Sequence, residues 1–210
     1  MIRSTQIRFN QTIELFKHEG FISLIKNSVF FKRKLIVFKK DLSAEDAQIK
    51  QVRRTNVNII NVTLDDFKTQ DYQFSSKSRF YKAIKYFRYS SEAFFALKNN
   101  IVIGDVWFSS KSFDHGKDYH PDLAMLNFKL NKEDIYMFDM YLEPSERGSA
   151  VESSILGQAI NTFQRRGFKN IFTYVMAENT PALWMTRVMG FKELNYLYMS
   201  RLFFIRKITV

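Results

Sequence analysis

Two kinds of hydrophobic spacing alternate along the chain. Apolar residues that crowd together or alternate with polar ones predict strands over residues 34–38, 56–62, 92–97, 101–108, 135–142 and 169–175, and a final strand or pair of strands over 192–204. Apolar positions recurring every three or four residues predict helices over 78–89, 149–166 and 180–189. Residues 92–97 and 101–108 read as a hairpin turning on Lys98, Asn99 and Asn100. Residues 10–30 predict a helical arm interrupted near Gly20, with Phe16, Phe21, Leu24, Ile25, Val29 and Phe30 on one face. Residues 43–53 predict a linker or short helix, with Ser43 as N-cap and Asp46 three residues on. A long polar stretch, 109–133, is expected to overhang a binding site, because structureless loops of that length are uncommon in compact domains. The order of strands and helices predicts a mixed sheet with helices on both faces, an α+β fold.

Composition narrows the picture. A chain of 210 residues with 46% hydrophobic content fits one folded domain, expected over 51–210, preceded by a basic amphipathic arm over 1–50. The absence of cysteine excludes disulfides, Cys-ligated zinc and thiol catalysis, and fits a reducing compartment. No apolar run approaches the ~18 residues needed to span a bilayer, and the N-terminus lacks a secretory pattern. A cytoplasmic protein is expected. Residues 1–54 hold 12 Lys and Arg against 5 Asp and Glu, which is +7 of the net +11. The arm's basic, aromatic face has two readings. It packs on the core with its lysines solvated, or residues 1–40 meet anionic lipid or an acidic carrier protein at the surface. Its aromatics follow no RNA-binding pattern, so nucleic acid is not an expected partner.

The most informative segment runs from residue 135 to 191. A strand ends in Glu143-Pro144, a short polar turn carries Arg147-Gly148, and a long amphipathic helix begins at once. That order presents the unpaired N–H groups of a helix N-terminus, with the positive end of its dipole, to an anion such as a phosphate. Further on, Asn179-Thr180-Pro181-Ala182 is followed by an apolar stretch ending in Gly190-Phe191.

These residues resemble the GNAT superfamily of acyl-CoA-dependent N-acyltransferases. The family's signature is a strand, then roughly Val-x-Pro-x-x-Arg-Gly-x-Gly-x-Gly, then a helix. Leu142, Pro144, Arg147 and Gly148 match it, while Ala150 and Glu152 stand where the family usually has glycine. The Asn179 to Ala182 element matches at the family's spacing, but Thr186 stands where many members place a proton-donating Tyr. The resemblance covers the C-terminal third strongly and residues from about 56 onward loosely.

What the resemblance implies is specific. The fold would be a twisted, mostly antiparallel mixed sheet whose signature strand and the next part at their C-terminal ends. The donor would be acetyl-CoA or another acyl-CoA, or the thioester of an acidic acyl carrier protein, and the acceptor a small-molecule amine. Met140, Tyr141 and Leu142 would pair with the pantetheine arm, and Arg147, Gly148, Ser149, Ala150 and Val151 would hold the diphosphate. Asn179 and Ala182 would contact the arm or hold the parted strands, with an N-cap as the alternative role for Asn179. Acyl transfer to an amine needs a base for the ammonium and an acid for the leaving thiolate. Asp139 on the signature strand, Glu178 at the end of the next strand and His120 are the base candidates. Tyr141 and Tyr174 are candidate replacements for the missing donor. The His and Asp residues of 114–122 match no metal-ligand spacing, and no metal is expected. A CoA-binding module without catalysis is the alternative to an enzyme.

Overall fold

The computed structural model describes residues 30–43, 56–113, 120–126, 129–202 and 205–209. Of the helix expected over 10–30, residues 10–29 lie outside them, as does most of the element expected over 43–53. Nine strands form one sheet among the described residues: β1 (Phe30–Asp41), β2 (Asn58–Val62), β3 (Gln73–Phe74), β4 (Ser91–Lys98), β5 (Ile101–Ser109), β6 (Asp134–Leu142), β7 (Asn170–Met176), β8 (Lys192–Leu202) and β9 (Ile205–Thr209). The order across the sheet is β2-β4-β5-β6-β7-β1-β8-β9, with the short β3 beside β5. Neighbours on that path are antiparallel except β6 and β7. The helices are α1 (Leu64–Thr69), α2 (Lys77–Tyr86), α3 (Pro121–Met125), α4 (Val151–Arg165) and α5 (Thr180–Val188).

Local chemistry sets several boundaries. Thr63 opens α1 with a capping box: its hydroxyl accepts from the Asp66 N–H, and the Asp66 carboxylate accepts from the Thr63 N–H. Asn99 and Asn100 both take positive φ (51° and 63°) between the paired residues Lys98 and Ile101. That is the two-residue turn whose twist suits a hairpin, and Asn tolerates it. α4 buries Ile155, Leu156, Ala159, Ile160 and Phe163, a spacing that lays one stripe on the sheet.

The core lies on both sheet faces. One side joins α4 and Leu183 of α5 to Ile36, Phe38, Phe94, Val106 and Ile171. On the other, α2 covers Phe95 and Trp107, and α3 brings Leu123 and Leu126 against Leu35, Val37 and Tyr136.

Two departures from the sequence reading matter. Residues 30–41, expected within an appended arm, form an interior strand between β7 and β8. The run Leu35-Ile36-Val37-Phe38 is buried on both faces, and an unbroken apolar run is what such a strand requires. The 109–133 stretch, expected as an overhanging polar loop, is anchored where it is described. Phe113, Leu123, Leu126 and Leu130 are buried, and Ser110 and Ser112 donate to the carbonyls of Asp134 and Lys132. Residues 114–119 and 127–128 lie outside the described set.

Candidate functional site

β6 and β7 pair only over Asp134↔Asn170, Ile135↔Ile171 and Tyr136↔Phe172. Beyond that point each strand follows its other neighbour. β6 stays paired to β5 as far as Leu142, and β7 stays paired to β1 as far as Met176. The facing edges of 137–142 and 173–176 are therefore open to each other, and a cavity of about 500 Å³ lies between them. Pro181, Ala182, Met185 and Thr186 of α5 and Leu156 of α4 complete its walls.

A β-bulge decides which side chains meet at this opening. Trp107 pairs with Asp139 and Phe108 with Met137, so Phe138 is the extra residue on β6. Before the bulge, Tyr136 and Phe138 face the α2–α3 side; after it, Asp139 and Tyr141 do. Met137, Met140 and Leu142 face α4 and α5. Strict alternation would have sent Asp139 to the opposite face from Phe138.

Asp139 is held by α2. Its Oδ2 accepts from Arg79 Nη1 at 2.9 Å, Lys82 Nζ at 3.2 Å and Tyr86 Oη at 2.8 Å. Arg79 also forks onto Asp105, through Nε at 3.0 Å and through Nη2, and the Trp107 indole N–H donates to Asp105 at 2.7 Å. Burial alone would raise the Asp139 carboxyl. The Arg79 guanidinium, the Lys82 ammonium and the Tyr86 hydroxyl outweigh it and hold the group well below the usual carboxylate range. Burial and the Asp139 charge push the Tyr86 hydroxyl far up. Asp139 is thus a permanent anion at the cavity wall. Its side chain is 18% exposed, and its Oδ1 has no partner among the described residues.

The other base candidates lie elsewhere. His120 is buried, stacks on Phe138 at 4.0 Å, and accepts the Asp122 N–H on Nδ1 at 3.3 Å as the N-cap of α3. Burial holds its imidazole below the ordinary value. With Nδ1 occupied, the neutral ring carries its proton on Nε2 and has no free lone pair to accept another. Glu178 pairs with Arg33 at 3.1 Å, is half-exposed, and is not among the residues lining the cavity. Tyr141 lines the cavity with its hydroxyl donating to Glu143 at 3.0 Å. Tyr174 also lines it, donating to Asp122 at 3.3 Å. Thr186 donates to the Ala182 carbonyl at 2.7 Å. Thr173, buried between the strands, lines the cavity with a hydroxyl that has no partner among the described residues.

The turn at the cavity's outer end has anion-binding chemistry. Pro144–Glu146 forms one 3₁₀ turn, Gly148 takes φ +71°, and Ala150 opens α4 at φ +30° with no side-chain cap. The N–H groups of Gly148, Ser149, Ala150, Glu152 and Ser153 have no partner among the described residues. Arg147 lines the cavity and donates from Nε to the Leu142 carbonyl at 3.3 Å, and its two terminal nitrogens have no partner among the described residues. A Cβ at position 148 would meet nothing within 4 Å. Open strand edges, free N–H groups and a guanidinium fit a pantetheine arm and its phosphates. Glu152 is the discordant element, because it lines the cavity beside this turn. Asn179 acts as the N-cap of α5, accepting from the Ala182 N–H at 3.3 Å, and still lines the cavity. No cluster of three His, Asp or Glu suited to a metal occurs among the described residues.

Arg79, Lys82 and Tyr86, functional residues that no sequence motif marks, share one helix face at i, i+3 and i+7. That spacing was visible as a polar stripe in an aromatic helix, but its partners Asp105 and Asp139 come from two distant strands.

No protein-family model matches the chain, and no curated protein matches its sequence. Solved structures do resemble it in fold. A GCN5-related N-acetyltransferase from Sphaerobacter thermophilus superposes with a TM-score of 0.54 at 12% identity, over 88% of this chain and 56% of that one. A tandem GNAT protein from the clavulanic acid biosynthesis pathway gives 0.55 at 10% identity, over 81% of this chain and 53% of that one. This chain therefore spans little more than half the length of either structure. Identity this low speaks for architecture alone, and the parted β6 and β7 agree with it: the chain is built on the GCN5-related N-acetyltransferase fold.

Proposed function

We propose that the protein is an N-acyltransferase that moves an acyl group from a pantetheine thioester, most simply acyl-CoA, to a primary amine. The observation that carries this reading is the 137–142 and 173–176 opening, with unpaired strand edges on both sides and a ring of free N–H groups at its mouth. The donor supplies an activated acyl carbonyl. The edge of β6 orients its arm as an added strand, and residues 147–153 with Arg147 neutralise its phosphates. The amine nitrogen bonds to the carbonyl carbon, the carbon–sulfur bond breaks, and the thiol leaves with a proton.

Asp139 has a defined part in this scheme. A carboxylate held ionised by two cations is a weak base but a good anchor for an incoming ammonium through Oδ1. Its role is to bind and orient the acceptor on the α2 side, with the ammonium proton passing to water. A thiol-release assay with acetyl-CoA and longer acyl-CoAs against a panel of amines tests the proposal. Amine-dependent release above hydrolysis supports it; no release with any donor and amine pair contradicts it.

One observation favours a second reading of the donor. Glu152 lines the cavity next to the phosphate turn, where it disfavours accumulated negative charge. A carrier-borne phosphopantetheine carries one phosphate where CoA carries three. Comparing acyl-CoA with an acyl carrier protein in the same assay separates the two.

A further inference from the structure

We infer that the inner end of the cleft is an acyl pocket suited to a chain several carbons longer than acetyl, with Met137 and Met185 setting its length. The inference rests on reading the cleft as a thioester site and adds the class of acyl group. Met137 is the first β6 residue past the last β6–β7 pair, so it sits at the vertex where the strands diverge. It is buried yet lines the cavity, opposite Thr173 of β7. Leu156 of α4 and Met185 of α5 line the same cavity and belong with Met137 to one apolar cluster.

The distribution of polarity along the cleft supports this division. The charged lining groups are Asp139, on the α2 side, and Arg147 and Glu152, at the phosphate turn. On the α4–α5 side of the inner end the polar side chains are Thr173 and Thr186, and the Thr186 hydroxyl is already donated to Ala182. Once a pantetheine arm has paired with the strand edges, a water there would find the Thr173 hydroxyl and the remaining lone pairs of the Thr186 oxygen, the low end of the two to four partners an ordered buried water uses. An acetyl group would leave that space unfilled or holding a poorly bonded water, and extra methylenes would fill it. Methionine suits such a wall, because its unbranched thioether adapts to chains of different length. Four of the protein's eight methionines line this one cleft.

The test measures affinity by calorimetry for S-acyl-phosphopantetheines of two to ten carbons, the portion common to CoA and a carrier protein. Affinity should climb roughly fourfold per methylene until the pocket is full, the factor expected for burying one CH₂. Met137→Phe, and separately Met185→Phe at the half-exposed wall, should shorten the chain length at which affinity peaks. Acetyl binding as tightly as hexanoyl overturns the inference. So does an equal loss at every chain length in both variants. A chain-length ladder without thiol release to any amine would leave the pocket standing and remove the transfer reading. No binding of any derivative would remove both.

Discussion

Replacing Arg79 by leucine should destabilise the protein more than any change at its surface. The Arg79 side chain is 5% exposed and joins two carboxylates, Asp105 at 2% and Asp139 at 18%. Its removal deletes the hydrogen bonds to both and leaves Asp105 in the core with the Trp107 indole N–H as its remaining hydrogen-bond donor among the described residues. Breaking a buried ion pair from one side costs about 3–5 kcal/mol, most of it the penalty of the orphaned charge. For a chain of this size that corresponds to a fall of roughly 10 °C in Tm. The companion variant Arg79→Leu/Asp105→Asn removes the orphaned charge and keeps an acceptor for Trp107, so it should recover part of the loss. The pH dependence follows from Asp139. Its carboxyl titrates below its unfolded value of 3.8, so its contribution is fully present above that pH and is lost as pH falls through the folded value. The gap between wild type and Arg79→Leu should therefore narrow between pH 7 and pH 3. Urea denaturation at both pH values measures it. A loss below about 1 kcal/mol at pH 7, or a double variant no more stable than the single one, would refute the argument that buried charge dominates at this site.

Arg147→Glu should raise the Michaelis constant for the donor by roughly 5–150-fold, the equivalent of ~1–3 kcal/mol for a charge-assisted contact, with stability little changed; steady-state kinetics checks it. Ala150→Gly should raise Tm, because a non-glycine residue at φ +30° bears a left-handed penalty of roughly 1 kcal/mol that glycine avoids. Lys40→Met should also stabilise the fold. The Lys40 side chain is buried, has no partner among the described residues, and is held by desolvation below its unfolded value of 10.5. Wild-type stability should accordingly rise with pH up to about 10.5, and the variant should lose that slope in denaturation curves taken from pH 7 to 10.5.

Much of the sheet was legible because its strands carry unambiguous local signals. The Asn99-Asn100 turn announced the β4–β5 hairpin, and the Pro144 to Gly148 turn announced the entry to α4. The placement of β1 was not legible. Its apolar run shows a strand buried on both faces, but nothing local says that it inserts between β7 and β8, far away in sequence. Within the site, backbone features were readable and side-chain facing was not. The turn at 147–151 follows from residue order, whereas the facing of Asp139 depends on a single bulge at Phe138 that no residue type marks. The role of His120 was hidden for a related reason: its neighbours Phe138, Tyr86 and Tyr89 come from other elements, and only its position before Pro121 hinted at a helix cap.

Amide hydrogen exchange with and without coenzyme A probes the cleft itself, because an arm that pairs with parted strands must protect their edges. Coenzyme A should slow exchange in 137–142, 173–176 and 148–153 and leave β2, β4 and β9 unchanged. Unchanged exchange across those three segments at saturating coenzyme A, or protection confined to other parts of the sheet, would contradict it.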